Sequence, residues 1–310
     1  MECVDFVEGV LKDGRGERVR CAELHRSWHA HIDWCWGAGL HPVIFAPWGH
    51  GKTVQIVLGR TLYELSRDSA LRVKVVCNSS GAARNRVQML RYYVEYDENL
   101  HARCSALRKP GKRGAGRWAA MEFSVDDERA LGRVDASVQG ASILSTGIGG
   151  RADLIVFDDV VDRRNAIDQP KLRERVFENF FETWLSRLDG AAGRSVTIQT
   201  LWHREDLGHR LMGNAEFCVL KQAVSRALDG IECELLNARE GHPLLQGAVD
   251  GRFVLPLWAE RWGREALKRK KRENVRAFER GFQQRAYTRE ETMFPSFRKC
   301  LVDLRREELF

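Results

Sequence analysis

Two short segments, far apart in the chain, carry the side chains that nucleotide hydrolysis needs. The first is Ala46-Pro47-Trp48-Gly49-His50-Gly51-Lys52-Thr53, preceded by the apolar run Val43-Ile44-Phe45 and followed by Val54-Gln55-Ile56-Val57-Leu58. This is the pattern of a buried strand running into a glycine-bearing turn that opens a helix. Backbone N–H groups and the helix N-terminus would face a phosphate, Lys52 would reach the β/γ oxygens, and the Thr53 hydroxyl would ligate Mg²⁺. The nucleotide-binding set is therefore Trp48, Gly49, His50, Gly51, Lys52, Thr53 and Val54, with no role for the His50 ring. The second segment is Asp153-Leu154-Ile155-Val156-Phe157-Asp158-Asp159, an apolar run ending in two carboxylates. A strand buried on both faces reads as a continuous apolar run, and carboxylates at its C-terminal end lie where open α/β sheets bind ligands. The strict phosphate-loop pattern has glycine where this chain has Ala46, so Gly51-Lys52-Thr53 gains its weight from the second segment. Together the two point to an ATPase using ATP and Mg²⁺.

The two carboxylates have different expected tasks, because successive strand residues point to opposite faces. Asp158 is assigned to the Mg²⁺ shell with Thr53, and Asp159 to positioning and polarising the attacking water.

The elements that must hold these groups alternate. Residues 21–36 place His25, Trp28, His29, Ile32 and Trp36 at helical spacing. Within that helix His29 and His31 invite a metal, but residues two apart do not share a helix face, and the metal reading is set aside. A strand at 41–46 and a helix at 52–66 follow, then the β-branched run Val73–Cys77 and a helix at about 80–95. Short strands around 121–125 and 141–145 lead to the Asp158 strand. A helix at roughly 170–188 carries Phe177, Phe180, Phe181 and Trp184 as a core stripe. Strands at 195–200 and 217–221 come next, and a long charged helix at about 264–284. Such alternation predicts a mostly parallel sheet flanked by helices, with right-handed crossovers. The expected division is an ATPase core over 1–225 and a lid or linker subdomain over 226–310.

With 310 residues, the chain can bury one large core or a core plus a small appendage. Its 44% hydrophobic and 30% charged residues describe a globular protein and exclude a disordered one. The net charge of +7 favours a polyanionic partner only modestly, because 43 acidic residues offset 50 basic ones. The basic, glycine-rich stretch 107–117 holds Lys109, Lys112, Arg113 and Arg117, suited to a DNA phosphate backbone rather than base edges. The run Lys268–Arg272 spreads around a helix and reads as a solvated face. Eight scattered cysteines show no Cys-x-x-Cys pair and suit reduced intracellular thiols. With no secretory signal and no apolar span of membrane length, a cytoplasmic setting is expected.

A third segment, Gln199-Thr200-Leu201-Trp202-His203-Arg204-Glu205-Asp206-Leu207, makes the sequence resemble the large terminase subunit of tailed bacteriophages and prophages. The family's Thr-x-Trp-His-x-x-Asp-Leu signature is matched by Thr200, Trp202, His203, Asp206 and Leu207. The Pro-x-Gly-His-Gly-Lys-Thr loop (Pro47 to Thr53) and Gly150-Arg151-Ala152-Asp153 before the Walker B strand are similar too. Further on, Pro256-Leu257-Trp258-Ala259-Glu260-Arg261 and Phe278 to Gln283-Gln284 resemble later family elements, in the same order. The resemblance implies a P-loop NTPase of the ASCE type and an ATP-driven motor moving double-stranded DNA into a procapsid. It implies a ring of subunits on a portal protein, monomeric in isolation, with a small terminase subunit as partner, in the host bacterial cytoplasm. Family members continue into a metal-dependent nuclease, which residues up to Phe310 leave no room for, so DNA cleavage is not expected of this chain.

The resemblance also implies that Thr200 senses the γ-phosphate or lytic water, and that Arg151 acts as an arginine finger across a subunit interface. A plain strand-end threonine and a solvated arginine are the competing readings. Trp202 and Leu207 are expected in the core. Two departures stand out. Trp48 replaces the family's usual arginine, and Asp159 is one methylene shorter than the glutamate common in related ATPases. These keep alive a hydrolytically weak nucleotide-binding docking module. A helicase-type translocase is disfavoured because Asp158-Asp159-Val160-Val161 lacks the Asp-Glu-Ala-Asp/His form.

Overall fold

A computed structural model describes residues 1–111, 117–145 and 149–286. The strands are β1 (His41–Phe45), β2 (Val73–Cys77), β3 (Glu122–Phe123), β4 (Val138–Ser142), β5 (Leu154–Asp158), β6 (Arg194–Gln199), β7 (Phe217–Val224), β8 (Ile231–Leu236) and β9 (Arg252–Leu255). They form one sheet in the order β3-β4-β2-β5-β6-β1-β7-β8-β9. The run from β4 to β7 is parallel throughout, while β3, β8 and β9 pair antiparallel at the edges. The mostly parallel α/β expectation holds.

Alternation along each strand feeds two apolar layers. Leu154 and Val156 of β5 join Val75, Val196 and Ile198 on one face, where α1 (Cys3–Val10), α2 (Glu23–Gly37), α3 (Thr61–Arg67) and α4 (Ser80–Tyr96) pack. Ile155 and Phe157 join Val43, Phe45 and Val76 on the other. The short α5 (Glu98–Arg103) and α6 (Glu128–Leu131) lead to β4, and α7 (Pro170–Glu178) and α8 (Leu207–Met212) cover the second face. α9 (Ala259–Trp262), α10 (Arg264–Glu273) and α11 (Val275–Gly281) follow β9. The turn after β7 leads straight to β8, so strands of one sheet lie on both sides of residue 225.

Three helices depart from expectation. The segment after the Gly49–Gly51 turn opens in wide π-helical turns over Thr53–Arg60 before tightening into α3. The helix expected at 170–188 is α7, then π turns over Asn179–Trp184 and a 3-10 turn over Leu185–Arg187. Of its aromatic stripe, Phe180 and Trp184 are buried, and Phe177 and Phe181 only partly so. The long helix at 264–284 is two helices. Asn274 breaks it with an extended backbone and caps α11, its side chain accepting from the Ala277 N–H, a standard asparagine cap. In α10 only Leu267 is buried, and Lys268 and Lys270 pair with Glu265 and Glu273.

Candidate nucleotide site

β1 lies between β6 and β7, and β6 separates it from β5. Register aligns Phe45 with Gln199, and Ile198 with both Ile44 and Asp158. The chain therefore leaves all three strands at one edge of the sheet, carrying Ala46, Asp159 and Thr200. After β1 the turn needs left-handed backbone at Gly49 (φ 69°) and Gly51 (φ 82°), a region open to glycine without steric cost. At Gly49 a Cβ would also stand 2.7 Å from the Trp262 ring.

Lys52 is the junction of this edge. Its Nζ donates to Thr200 Oγ1 at 2.6 Å and to the Ala46 carbonyl at 3.3 Å, and lies 3.4 Å from Asp159 Oδ1. Lys52 is only 7% exposed and Thr200 1%. One amine thus touches the ends of β1, β5 and β6, because parallel neighbours stand about 4.8 Å apart.

Asp158 and Asp159 occupy different surroundings: Asp158 ends β5, and Asp159 lies just past it in left-handed backbone. Asp158 shares its face with Val156, the face covered by α4. There the Arg86 Nε donates to Asp158 Oδ2 at 2.7 Å. The other oxygen, Oδ1, is buried without a hydrogen-bond partner. Burial and the adjacent Asp159 push the Asp158 carboxyl up to about 6, against the pull of Arg86 and Lys52. An unpartnered buried carboxylate oxygen calls for an explanation, and a hard cation fits it: oxygen donors from Asp158 and Thr53 are the kind Mg²⁺ takes. Asp159, just past β5, has φ 43°, an uncommon conformation that aspartate tolerates better than most residues; its Oδ1 is also buried without a hydrogen bond, facing Lys52.

Arg86 was not singled out from the sequence. Its signal is weak: β2 pairs with β5 so that Cys77 lies opposite Asp158, and α4 starts just beyond β2. That placement depends on a pairing that the sequence does not spell out.

After β6, the Thr-x-Trp-His-x-x-Asp segment has a local physical cause. Asp206 is fully buried; its Oδ2 accepts from the N–H groups of Trp202 (2.8 Å) and His203 (2.9 Å). Its Oδ1 accepts from the His209 N–H and caps α8. One carboxylate thus ties the turn that follows Thr200 to the helix after it. Leu207 is in the core as expected. Trp202 lies at the margin of the core, half-buried against it, with its ring 5.9 Å from Trp48 and beneath the Arg280 guanidinium.

The C-terminal elements close on the loop. The Trp48 N–H donates to the Gly281 carbonyl at 2.8 Å, and a Cβ on Gly281 would collide with the Trp48 indole. Trp262 Nε1 donates to the Gly49 carbonyl at 3.0 Å. Gln284 Oε1 accepts from the Leu201 N–H at 3.1 Å, directly after Thr200. The His50 ring, given no role from the sequence, is buried; it stacks on Trp262 and holds the Trp48 carbonyl through Nδ1 at 2.9 Å. His25 of α2 grips the His50 carbonyl at 2.9 Å. This corrects the sequence reading: His50 packs the loop between α2 and the C-terminal helices.

Arg151 is not brought to this edge. It precedes β5, exposed, with its backbone on Asp135 and its guanidinium on the Ser186 carbonyl at 3.1 Å. Seven residues at roughly 3.3 Å per residue separate it from Asp158 by about 23 Å. Lys109 pairs with Glu95 at 2.8 Å and Arg117 with Glu122 at 3.2 Å, near the β3 edge. Lys112 and Arg113 lie outside the described residues. No helix among the described residues is long and apolar enough to cross a membrane.

Neither a model of a known protein family nor a curated protein sequence matches the chain. Among solved structures, the chain is similar to the large terminase of bacteriophage HK97, at 14% identity and a TM-score of 0.55. The match covers 91% of this chain and 54% of that one, so this chain spans about half its length. A fainter likeness, to the Phi-28 gp11 DNA packaging motor, has 9% identity and a TM-score of 0.30 over 80% of this chain and 90% of that one, too low to carry an argument. The likeness is one of fold: a mostly parallel sheet flanked by helices, as in the HK97 large terminase.

Proposed function

We propose that this chain is the ATP-hydrolysing motor part of a viral DNA-packaging terminase, driving double-stranded DNA into a procapsid from the host cytoplasm, with a portal protein and a small terminase subunit as partners. The observation that carries the reading is the convergence on Lys52 of three strand ends beside the unpartnered Oδ1 of Asp158. In this reading the backbone N–H groups from Trp48 to Val54 cradle the phosphates of ATP. Lys52 leaves Thr200 and Asp159 for the β/γ oxygens. Thr53 and Asp158 hold Mg²⁺, which would supply charge neutralisation on those oxygens. Arg86 fixes Asp158 through Oδ2 and leaves Oδ1 for the cation. Freed of Lys52, Asp159 orients the attacking water and accepts its proton. The Thr200 hydroxyl, released at the same moment, meets the γ-phosphate and passes its loss to the Asp206-tied turn and to Gln284. Arg151 serves a neighbouring subunit's site.

Two variants test the assignment. Lys52→Ala should lower Mg·ATP turnover by about 10²–10³-fold, the size seen when one preorganised donor is removed, and weaken nucleotide binding as well. Asp159→Ala should leave Mg·ATP affinity largely intact while turnover collapses, since a water-orienting group acts mainly in the transition state. Near wild-type turnover in Lys52→Ala would end the proposal. A joint fall of binding and turnover in Asp159→Ala would reassign that residue to the cation.

A further inference from the structure

His31 and Cys35 stand four apart on α2 and share one face. His29, the neighbour weighed in the sequence, instead meets Gln55 Oε1 at 3.1 Å. Cys218 on β7 and His242, which leads into the 3-10 turn Pro243–Leu245, complete a group of four buried side chains. Their candidate ligand atoms all lie within 4.8 Å of one another. His31 Nδ1 is 3.0 Å from His242 Nε2 and 3.7 Å from Cys35 Sγ. Zinc bonds of about 2.0–2.1 Å to nitrogen and 2.3 Å to sulfur, arranged as a tetrahedron, set neighbouring donors roughly 3.3–3.8 Å apart.

We propose that His31, Cys35, Cys218 and His242 form a structural zinc site, independent of the nucleotide site. Two thiols and two imidazoles are a donor set that selects Zn²⁺ over Mg²⁺ or Ca²⁺. Four protein ligands leave no open position, which makes the site structural. A buried cysteine alone behaves as a small apolar residue, but that does not bring two imidazoles onto the same point from separate elements. The outer surroundings suit a metal as well. His31 Nε2 lies 3.2 Å from the Cys218 carbonyl, a bond that leaves Nδ1 as the ligand atom. Leu40, Trp34, Ala38 and Ala238 form an apolar shell.

Loading moves protons in a defined way. Both thiols lose theirs to solvent. His242 binding through Nε2 carries its ring proton on Nδ1, so the Leu244 N–H, now donating to Nδ1 at 3.1 Å, must release it. The ion would fasten α2, β7 and the segment at 238–245 to one another. His25, six residues earlier on the same helix and so about 9 Å along its axis, holds the phosphate-loop carbonyl of His50.

The test uses the full chain, purified reduced and without chelator, with metal content measured directly and Co²⁺ exchanged for Zn²⁺. Expected are stoichiometric zinc, thiolate-to-cobalt charge-transfer absorption and the strong visible bands of tetrahedral cobalt. Cys35→Ser and Cys218→Ser should lose stoichiometric zinc and the strong tetrahedral cobalt bands, and a strong chelator should lower the melting temperature of the wild type. A folded wild-type chain that takes up no zinc would overturn the proposal. So would cobalt bound without thiolate absorption, or a Cys35–Cys218 disulfide in protein alkylated at lysis. These three readings need only the wild type and decide the matter even where a variant fails to fold.

Discussion

Asp158 is a buried carboxyl whose two oxygens live differently: Oδ2 is held by Arg86, and Oδ1 is unpartnered. Because burial and Asp159 raise it from the ordinary 3.8 to about 6, ionising it in the folded chain costs free energy. Its contribution to stability is therefore greatest below the ordinary value and is lost as pH rises through about 6. Two outcomes are expected. Mg·ATP turnover should fall as pH drops through about 6, because a protonated Asp158 cannot hold the cation, and kcat/KM against pH reads this limb. Without metal, the difference in melting temperature between wild type and Asp158→Asn should narrow below about pH 6, where both side chains are neutral. A difference unchanged from pH 5 to pH 8 would rule out a raised Asp158. Lys52, Asp158 and Asp159 were legible as candidates because a strand end, a glycine turn and an apolar run are local signals. Arg86 was not, nor was the grouping of His31 with Cys35, Cys218 and His242, because each depends on which strand or helix lies beside which.

At the scale of elements, the loop after β1 is packed from behind by α2 and from outside by the C-terminal helices. Gly281 is where α11 touches Trp48, with no room for a side chain. Gly281→Ala should destabilise the chain by about 1–3 kcal/mol through overpacking, read as a lower midpoint in denaturant. It should also weaken nucleotide binding, because Trp48 and Gly49 lose their seat against α11 and Trp262. A variant as stable as wild type would mean that α11 does not bear on the loop. The strands were readable from their apolar runs. The break at Asn274 was missed because the charged run 264–273 continues at helical spacing beyond it, and a single capping asparagine was outweighed. The π turns after Thr53 and after α7 have no sequence signal in the apolar period, which differs too little from that of an α-helix. The docking of Gln284 on the end of β6 links residues 83 apart in the chain, beyond the reach of any local pattern.

For the whole molecule, the sheet has two edges with different contents. Asp159, Lys52 and Thr200 lie at one, and Arg151 with its Ser186 contact lies at the other. If Arg151 serves a neighbour, Arg151→Ala and Asp159→Ala subunits, each inactive alone, should regain part of the ATPase activity when co-assembled. In such a mixture some intact Asp159 sites face an intact Arg151. No recovery from folded, co-assembling variants would remove Arg151 from catalysis. The same separation constrains the shape of any assembly. Subunits standing level, with strands side by side in the same direction, would place Arg151 beside another Arg151-bearing edge. For an arginine to reach the next hydrolysis centre, the Arg151 end of one subunit's sheet must meet the Lys52 end of the next, the two ends lying roughly 23 Å apart within each subunit. Such contacts are head-to-tail: they close into a ring where the rotation between subunits completes a turn and wind into a screw where it does not. A ring with its strands level and parallel to its axis would leave Arg151 idle, whereas one with its strands running around the ring would bring it to the next Lys52.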